Sequence, residues 1–161
     1  MLHIEILTVG RLKQDAEQTL QQRYLQRLQK AGPAQGVKTC IVKEINESKQ
    51  SSAQKRQQEE TSKLLSQAND QAHLIFLDER GSELTSTKFA DKLKTIHGEG
   101  TQHISFIIGG PDGHDRQQLK KAPTTLSLSK LTLPHGLARV FLLEQLYRTL
   151  TIWADHPYHR E

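Results

Sequence analysis

His103-Ile104-Ser105-Phe106-Ile107-Ile108-Gly109-Gly110-Pro111-Asp112-Gly113 is the stretch on which the fold turns. A nearly unbroken apolar run stops at two glycines. A strand with one face in water alternates apolar and polar side chains, whereas a strand covered on both faces does not. His103 to Ile108 therefore predicts a strand buried on both faces, as in a parallel sheet layered between helices. Gly109 to Gly113 predicts the turn that leaves its carboxyl end.

Outward from that stretch the same grammar repeats. His73 to Leu77 is a second short apolar run, closed by Asp78, and Leu2 to Val9 runs into a turn at Gly10. Val37 to Ile45 is β-rich, with Val37, Ile41 and Ile45 expected on one face and Cys40 and Val42 on the other. Between these runs lie helical stripes. Leu20, Tyr24 and Leu28 mark a helix over 14–30 that Gly32-Pro33 stops, and Phe89, Leu93 and Ile96 mark one over 86–96. Ser51 to Ala68 reads as a glutamine-rich outer helix supported mainly by Leu64 and Leu65. A short basic helix, 116–121, leads to Thr124–Ser129. The last helix, from Pro134 or Leu137 to Trp153, is the most apolar.

Strand and helix alternate throughout, so the expected architecture is one α/β domain over 1–161, a mainly parallel sheet with helices on both faces. Connection rules alone predict an ordinary right-handed open sheet. The last helix carries Leu137, Val140, Phe141, Leu142, Leu143, Leu146, Tyr147, Leu150 and Trp153 around more than one face. That surplus predicts that part of its surface meets a second subunit.

Composition narrows the function classes. Apolar residues at 35% and charged ones at 25% suit a globular chain rather than a disordered one. The one cysteine, Cys40, excludes a disulfide framework and a thiolate metal cluster, and it reads as a small buried hydrophobe. No apolar run approaches the roughly 18 residues that span a bilayer. Met1-Leu2-His3-Ile4-Glu5 lacks the pattern of a secretion signal, so a cytoplasmic location is expected. A net charge of +4 is compatible with a polyanionic partner and equally with a basic soluble protein.

In α/β sheets ligands sit beyond the carboxyl ends of the strands. Three segments mark those ends: Leu77-Asp78-Glu79-Arg80-Gly81, Gly109 to Gly113, and Leu128 to His135. Glycines there let backbone approach a ligand closely, and free N–H and C=O groups can bond a flat heterocycle. The standard fingerprints for dinucleotides, for ATP and for a serine nucleophile are missing. His156-Pro157-Tyr158-His159 does not make a metal site, because proline breaks the helical register and no third ligand is near. Tyr158, His159 and Arg160 either stack on a base and touch phosphate or form a frayed end. His135 acts in proton transfer or starts the following helix. Arg139 and Arg148 pair with a carboxylate such as Glu144 or face RNA, and spacing leaves both open.

Four blocks together are far more specific than any one. Ile108-Gly109-Gly110-Pro111-Asp112-Gly113, Leu126-Ser127-Leu128-Ser129-Lys130-Leu131-Thr132-Leu133-Pro134-His135, Glu144-Gln145-Leu146-Tyr147-Arg148 and His156-Pro157-Tyr158-His159-Arg160-Glu161 resemble the SPOUT-class large-subunit rRNA pseudouridine methyltransferase H family. The likeness is close from Ser105 onward. Thr8-Val9-Gly10-Arg11-Leu12-Lys13 and Leu77-Asp78 with Gly81 support it. From Gln29 to Ala72 it is one of pattern, and the glutamine-rich part departs from the family.

The resemblance implies an α/β knot, with the C-terminal segment threaded as a trefoil, in place of the open sheet. It implies S-adenosyl-L-methionine as cofactor, held by Leu77, Gly110 and Lys130, Leu131, Thr132, Leu133, Pro134 and His135, with no metal. The implied reaction is methylation of N3 of a pseudouridine in 23S rRNA, on assembled ribosomes, by a homodimer. Tyr158, His159 and Arg160 are the expected catalytic-tail residues, the first and last placing the substrate and His159 accepting the N3 proton.

Overall fold

The computed structural model describes residues 1–161. Five parallel strands form one sheet in the order β2-β1-β4-β3-β5. They are β1 Leu2–Val9, β2 Val37–Ile45, β3 His73–Glu83, β4 His103–Ile108 and β5 Thr124–Ser127. The helices are α1 Ala16–Ala31, α2 Ala53–Gln67, α3 Ser86–Gly98, α4 Arg116–Lys120 and α5 His135–Trp153. The two unbroken apolar runs lie side by side as β3 and β4, in the interior of the sheet, as continuous burial requires.

Helix limits follow from capping. Asp15, Ser52 and Thr85 each accept a hydrogen bond from a backbone N–H of the first turn of α1, α2 and α3, the usual role of such residues at a helix start. Apolar side chains then divide between two faces of the sheet. The larger core, with Leu28, Leu93, Phe106, Leu142 and Leu146, lies under α1, α3 and α5. The smaller, with Leu7, Val9, Leu64, Phe76 and Ile107, lies under α2.

One expectation needs correction. Val37 does not share a face with Ile45: it packs with Cys40 in the larger core, while Ile45 packs in the smaller. Leu2 pairs with Val37 but His3 pairs with Thr39, so Lys38 is an extra residue that flips Val37 across the sheet. The apolar surface of α5 is met largely within the chain, with part left over. Leu142, Leu143, Leu146 and Leu150 are buried, and only Leu137 and Phe141 among the large apolar residues of the helix remain exposed. Cys40 is buried and its thiol pushed up to about 12 by that burial, which leaves it inert.

One feature departs from an ordinary open sheet. Leu126 of β5 pairs with Leu77 and again with Ser82, so the chain between them bows out and returns to the same strand. At Gly81 this wrap presses backbone against backbone, for a Cβ there would lie 2.7 Å from the Leu126 carbonyl carbon and 2.9 Å from Ser127 N. Only glycine permits that approach.

Candidate cofactor and RNA site

Because all five strands run the same way, their carboxyl ends share one edge of the sheet. The register makes the grouping specific. Leu77 pairs with Ile108 on one side and with Leu126 on the other. Three segments distant in sequence therefore finish together: Leu77, the turn that opens at Gly109, and the loop that follows Ser127.

Each has its own support. The turn closes on itself through a bond from Gly113 N to Gly110 O of 2.9 Å, with Gly113 at φ 80. Helix α2 then grips it from outside. Arg56 bonds both carboxylate oxygens of Asp112, Gln57 donates to the Asp112 carbonyl at 2.6 Å, and Thr61 accepts from Asp115 N at 2.9 Å. A Cβ on Gly110 would point inward, 3.0 Å from Glu60 Oε1 and from Val9 Cγ1. Gly110 is thus glycine because α2 and Val9 sit hard against it. Glu60 is buried; burial raises its carboxyl pKa, and although Oε2 accepts from Ser48 N, Oε1 has no partner. The glutamine-rich helix carries this buttress, a role its composition did not announce.

The loop after β5 is open toward solvent. Its ties are peripheral: Lys130 pairs with Glu83 at 3.4 Å and Thr132 donates to Glu79 at 3.2 Å, both exposed, and such contacts hold little. Leu131 is 77% exposed. The Leu131 N–H bonds Ser129 Oγ, while those of Lys130, Thr132 and Leu133 meet no protein acceptor. A run of free N–H groups at a strand end is suited to a ligand rich in acceptors.

His135 opens α5 after Pro134, and its ring packs on Gly10: a Cβ there would lie 2.9 Å from Cε1. Arg139, one turn on, is fully buried. It donates to Glu44 at 2.6 Å, to Gly10 O at 3.1 Å and to Thr8 Oγ1 at 3.3 Å. Its partner is therefore Glu44 on β2 and not Glu144. Burial by itself would raise the Glu44 pKa, but hydrogen bonds from Arg139 and Leu12 N hold it below the usual carboxylate range. Arg148 does pair with Glu144, four residues before it.

The tail folds back on α5. Tyr158 donates to Glu144 Oε1 at 3.0 Å, lies under the Arg148 guanidinium and meets Tyr147 edge-on at 5.0 Å. Arg148 Nη1 lies 3.2 Å from His159 Nδ1; since arginine only donates, that nitrogen is the acceptor and the proton resides on Nε2. Glu161 accepts from Thr87, and Arg160 is exposed. Beside Thr87, Ser86 donates to Gln145, and both line a cavity of about 110 Å³ whose other wall includes Leu126, Ser127 and Leu128. The tail therefore passes the rim of a cavity that reaches the strand end of β5. No bond joins Tyr158, His159 or Arg160 to Leu77 or Gly110 within the chain.

The family described as predicted SPOUT methyltransferase matches residues 2–159. The chain belongs to the SPOUT methyltransferase family. Among its relatives, the ribosomal RNA large subunit methyltransferase H of Brucella anthropi is 42% identical over 159 residues, 99% of each chain. That of Rhizobium leguminosarum bv. trifolii is 44% identical and that of Sinorhizobium fredii 45%, with the same coverage. A solved structure of a probable methylase family protein from Haemophilus influenzae Rd KW20 superposes with a TM-score of 0.50 over 98% of this chain and 70% of that one. At 11% identity that likeness speaks for the fold alone. In this SPOUT methyltransferase the three segments singled out by sheet geometry are adjacent. The α2 buttress, with Glu60, and the choice of Glu44 as the partner of Arg139 were missed. Arg56 and Asp112 are 56 positions apart, and no local pattern joins them.

Proposed function

We propose that the chain transfers a methyl group from S-adenosyl-L-methionine to N3 of a pseudouridine in 23S rRNA, on assembled ribosomes, as a cytoplasmic homodimer with a knotted C-terminal segment. One observation carries the reading. The chain is 42–45% identical over 159 of its 161 residues to proteins named ribosomal RNA large subunit methyltransferase H, a span that takes in the glycine turn and the loop after β5. Membership of the SPOUT family supports the knot, and the exposed Leu137 and Phe141 support the dimer.

When bound, the cofactor supplies an electrophilic sulfonium methyl, so placement rather than activation is the protein's task. Leu77, Gly110 and Lys130 to His135 would hold it, with the free N–H groups of Lys130, Thr132 and Leu133 available as donors. Methyl transfer from a sulfonium needs no Lewis acid, and no metal enters the reading. Tyr158 presents its ring and hydroxyl to the pseudouridine once it leaves Glu144 and Arg148, and the exposed Arg160 meets a neighbouring phosphate. Methylation at N3 would require the N3 proton to leave. His159 accepts it only after its Nδ1 parts from Arg148.

Incubation of the purified protein with methyl-labelled S-adenosylmethionine and either ribosomes or protein-free 23S rRNA tests this. Label is expected in N3-methylpseudouridine, with ribosomes the better substrate. Label at a ribose, at uridine or nowhere overturns the reading.

A further inference from the structure

We propose that His114 is a positioning residue that ties the Leu77 carbonyl to the glycine turn and so sets the width of the cofactor pocket. This rests on the cofactor site assigned above and adds a residue to it.

The ladder between β3 and β4 ends at Leu77 and Ile108. Beyond that rung the strands part: Asp78 to Gly81 bends toward β5, while Gly109 to Gly113 closes on itself. Two diverging strand ends have no fixed spacing unless something bridges them. His114 does. The left-handed backbone at Gly113, φ 80, precedes it, and its ring is brought beneath the turn, 4% exposed. His114 Nε2 lies 2.8 Å from Leu77 O, and a carbonyl only accepts, so Nε2 carries the proton. The ring stands edge-on to Phe76 at 5.0 Å. Gly109 lies on it so closely that a Cβ would be 3.1 Å from both Cε1 and Nδ1. One imidazole thus touches the last two β3 residues of the ladder with β4 and the first residue of the turn.

Two further observations fit a placed ring rather than a filler. Nδ1 is buried without a partner, a cost that an apolar side chain of the same volume would avoid. Burial also lowers the His114 pKa, keeping the ring neutral with a single donor. The backbone on both sides is braced by α2, through Asp112 before it and Asp115 after it, so the ring cannot drift from Leu77.

The test uses the full-length protein, calorimetric titration with S-adenosylmethionine, and thermal unfolding of each variant. His114→Phe keeps the ring volume and the edge contact but removes the donor. His114→Gln restores an N–H near the place of Nε2. The expected result is a roughly tenfold weaker Kd for His114→Phe, about one hydrogen bond's worth, with most of the loss recovered in His114→Gln. The two variants should melt alike. If His114→Phe binds as tightly as the parent protein, His114 is packing and the proposal falls while the cofactor site stands. If the parent protein itself fails to bind, the cofactor site falls and takes this inference with it. Nitrogen-15 spectra of the parent protein decide the matter even if His114→Phe does not fold: the Nε2–H tautomer is expected, and Nδ1–H overturns the bridge.

Discussion

Arg139 on the last helix and Glu44 near the end of the second strand meet at 2.6 Å, with the guanidinium wholly buried. The pair pins the start of α5, and with it the end of the loop that reaches His135, to the far side of the sheet. Removing one partner leaves the other charge buried and unpaired. Glu44→Ala should therefore cost about 3 kcal/mol in urea unfolding. Because the Glu44 pKa is depressed in the folded state, its contribution is complete above the unfolded carboxylate pKa of about 4.3. It fades as pH falls through the lower folded value, so the gap between parent and Glu44→Gln should shrink in acid. A gap that widens toward low pH would contradict the pairing.

Gly81 and Gly98 offer an internal contrast. A Cβ at Gly81 would strike the backbone of Leu126 and Ser127, whereas one at Gly98 meets nothing within 4 Å. Gly81→Ala should destabilise by roughly 1–3 kcal/mol, because strand backbone cannot yield. Gly98→Ala, at the end of α3, should stabilise by about 0.5–1 kcal/mol. Chemical denaturation of the two variants reads both signs.

Leu137 and Phe141, one helical turn apart on α5, are 44% and 41% exposed. Two large apolar side chains on one stripe fit the edge of a subunit interface, which as a stable contact should bury more than about 1,000 Å². Light scattering should show a dimer for the parent protein and a monomer for Phe141→Asp. A parent protein that is monomeric and active at micromolar concentration would exclude the dimer.

How much of this could be read from the chain depends on where each partner lies. β1, β2 and β4 have the limits that their apolar runs mark, and α3 begins at Ser86 as its apolar stripe marks, because those signals are local. The strand ends followed from the parallel sheet, so Leu77, Gly110 and the loop from Lys130 to His135 were legible as neighbours. What was not legible is held by long-range bonds. Glu44 is 95 positions from Arg139, and only the fold chooses it over the nearer Glu144. Ser51 to Ala68 looked like a mere outer helix because its function lies in single polar contacts to Asp112 and Asp115, which leave no periodic trace. The extra residue at Lys38 is likewise invisible until β1 is laid beside β2.

Truncating the tail distinguishes cofactor binding from substrate placement. Tyr158 and His159 bond α5 and Glu161 bonds α3, while none bonds the strand ends. Removal of residues 158–161 should leave cofactor affinity and dimerisation near normal while methylation falls by two orders of magnitude or more, about the scale expected when a reacting group is no longer positioned. Full-rate methylation of ribosomes by the truncated protein would make the tail a frayed end. Loss of cofactor binding would assign it to the pocket instead.

The central claim is that the chain marks N3 of a pseudouridine in large-subunit rRNA, and nucleoside mass spectrometry of 23S rRNA from cells with and without the gene tests it most directly. The account predicts that N3-methylpseudouridine is present with the gene, vanishes on its deletion and returns with a plasmid copy of the parent protein. Restoration by the parent protein but not by the 158–161 truncation would extend the result to the tail. An unchanged level of N3-methylpseudouridine in the deleted strain, or the loss of a different methylated nucleoside, would contradict it.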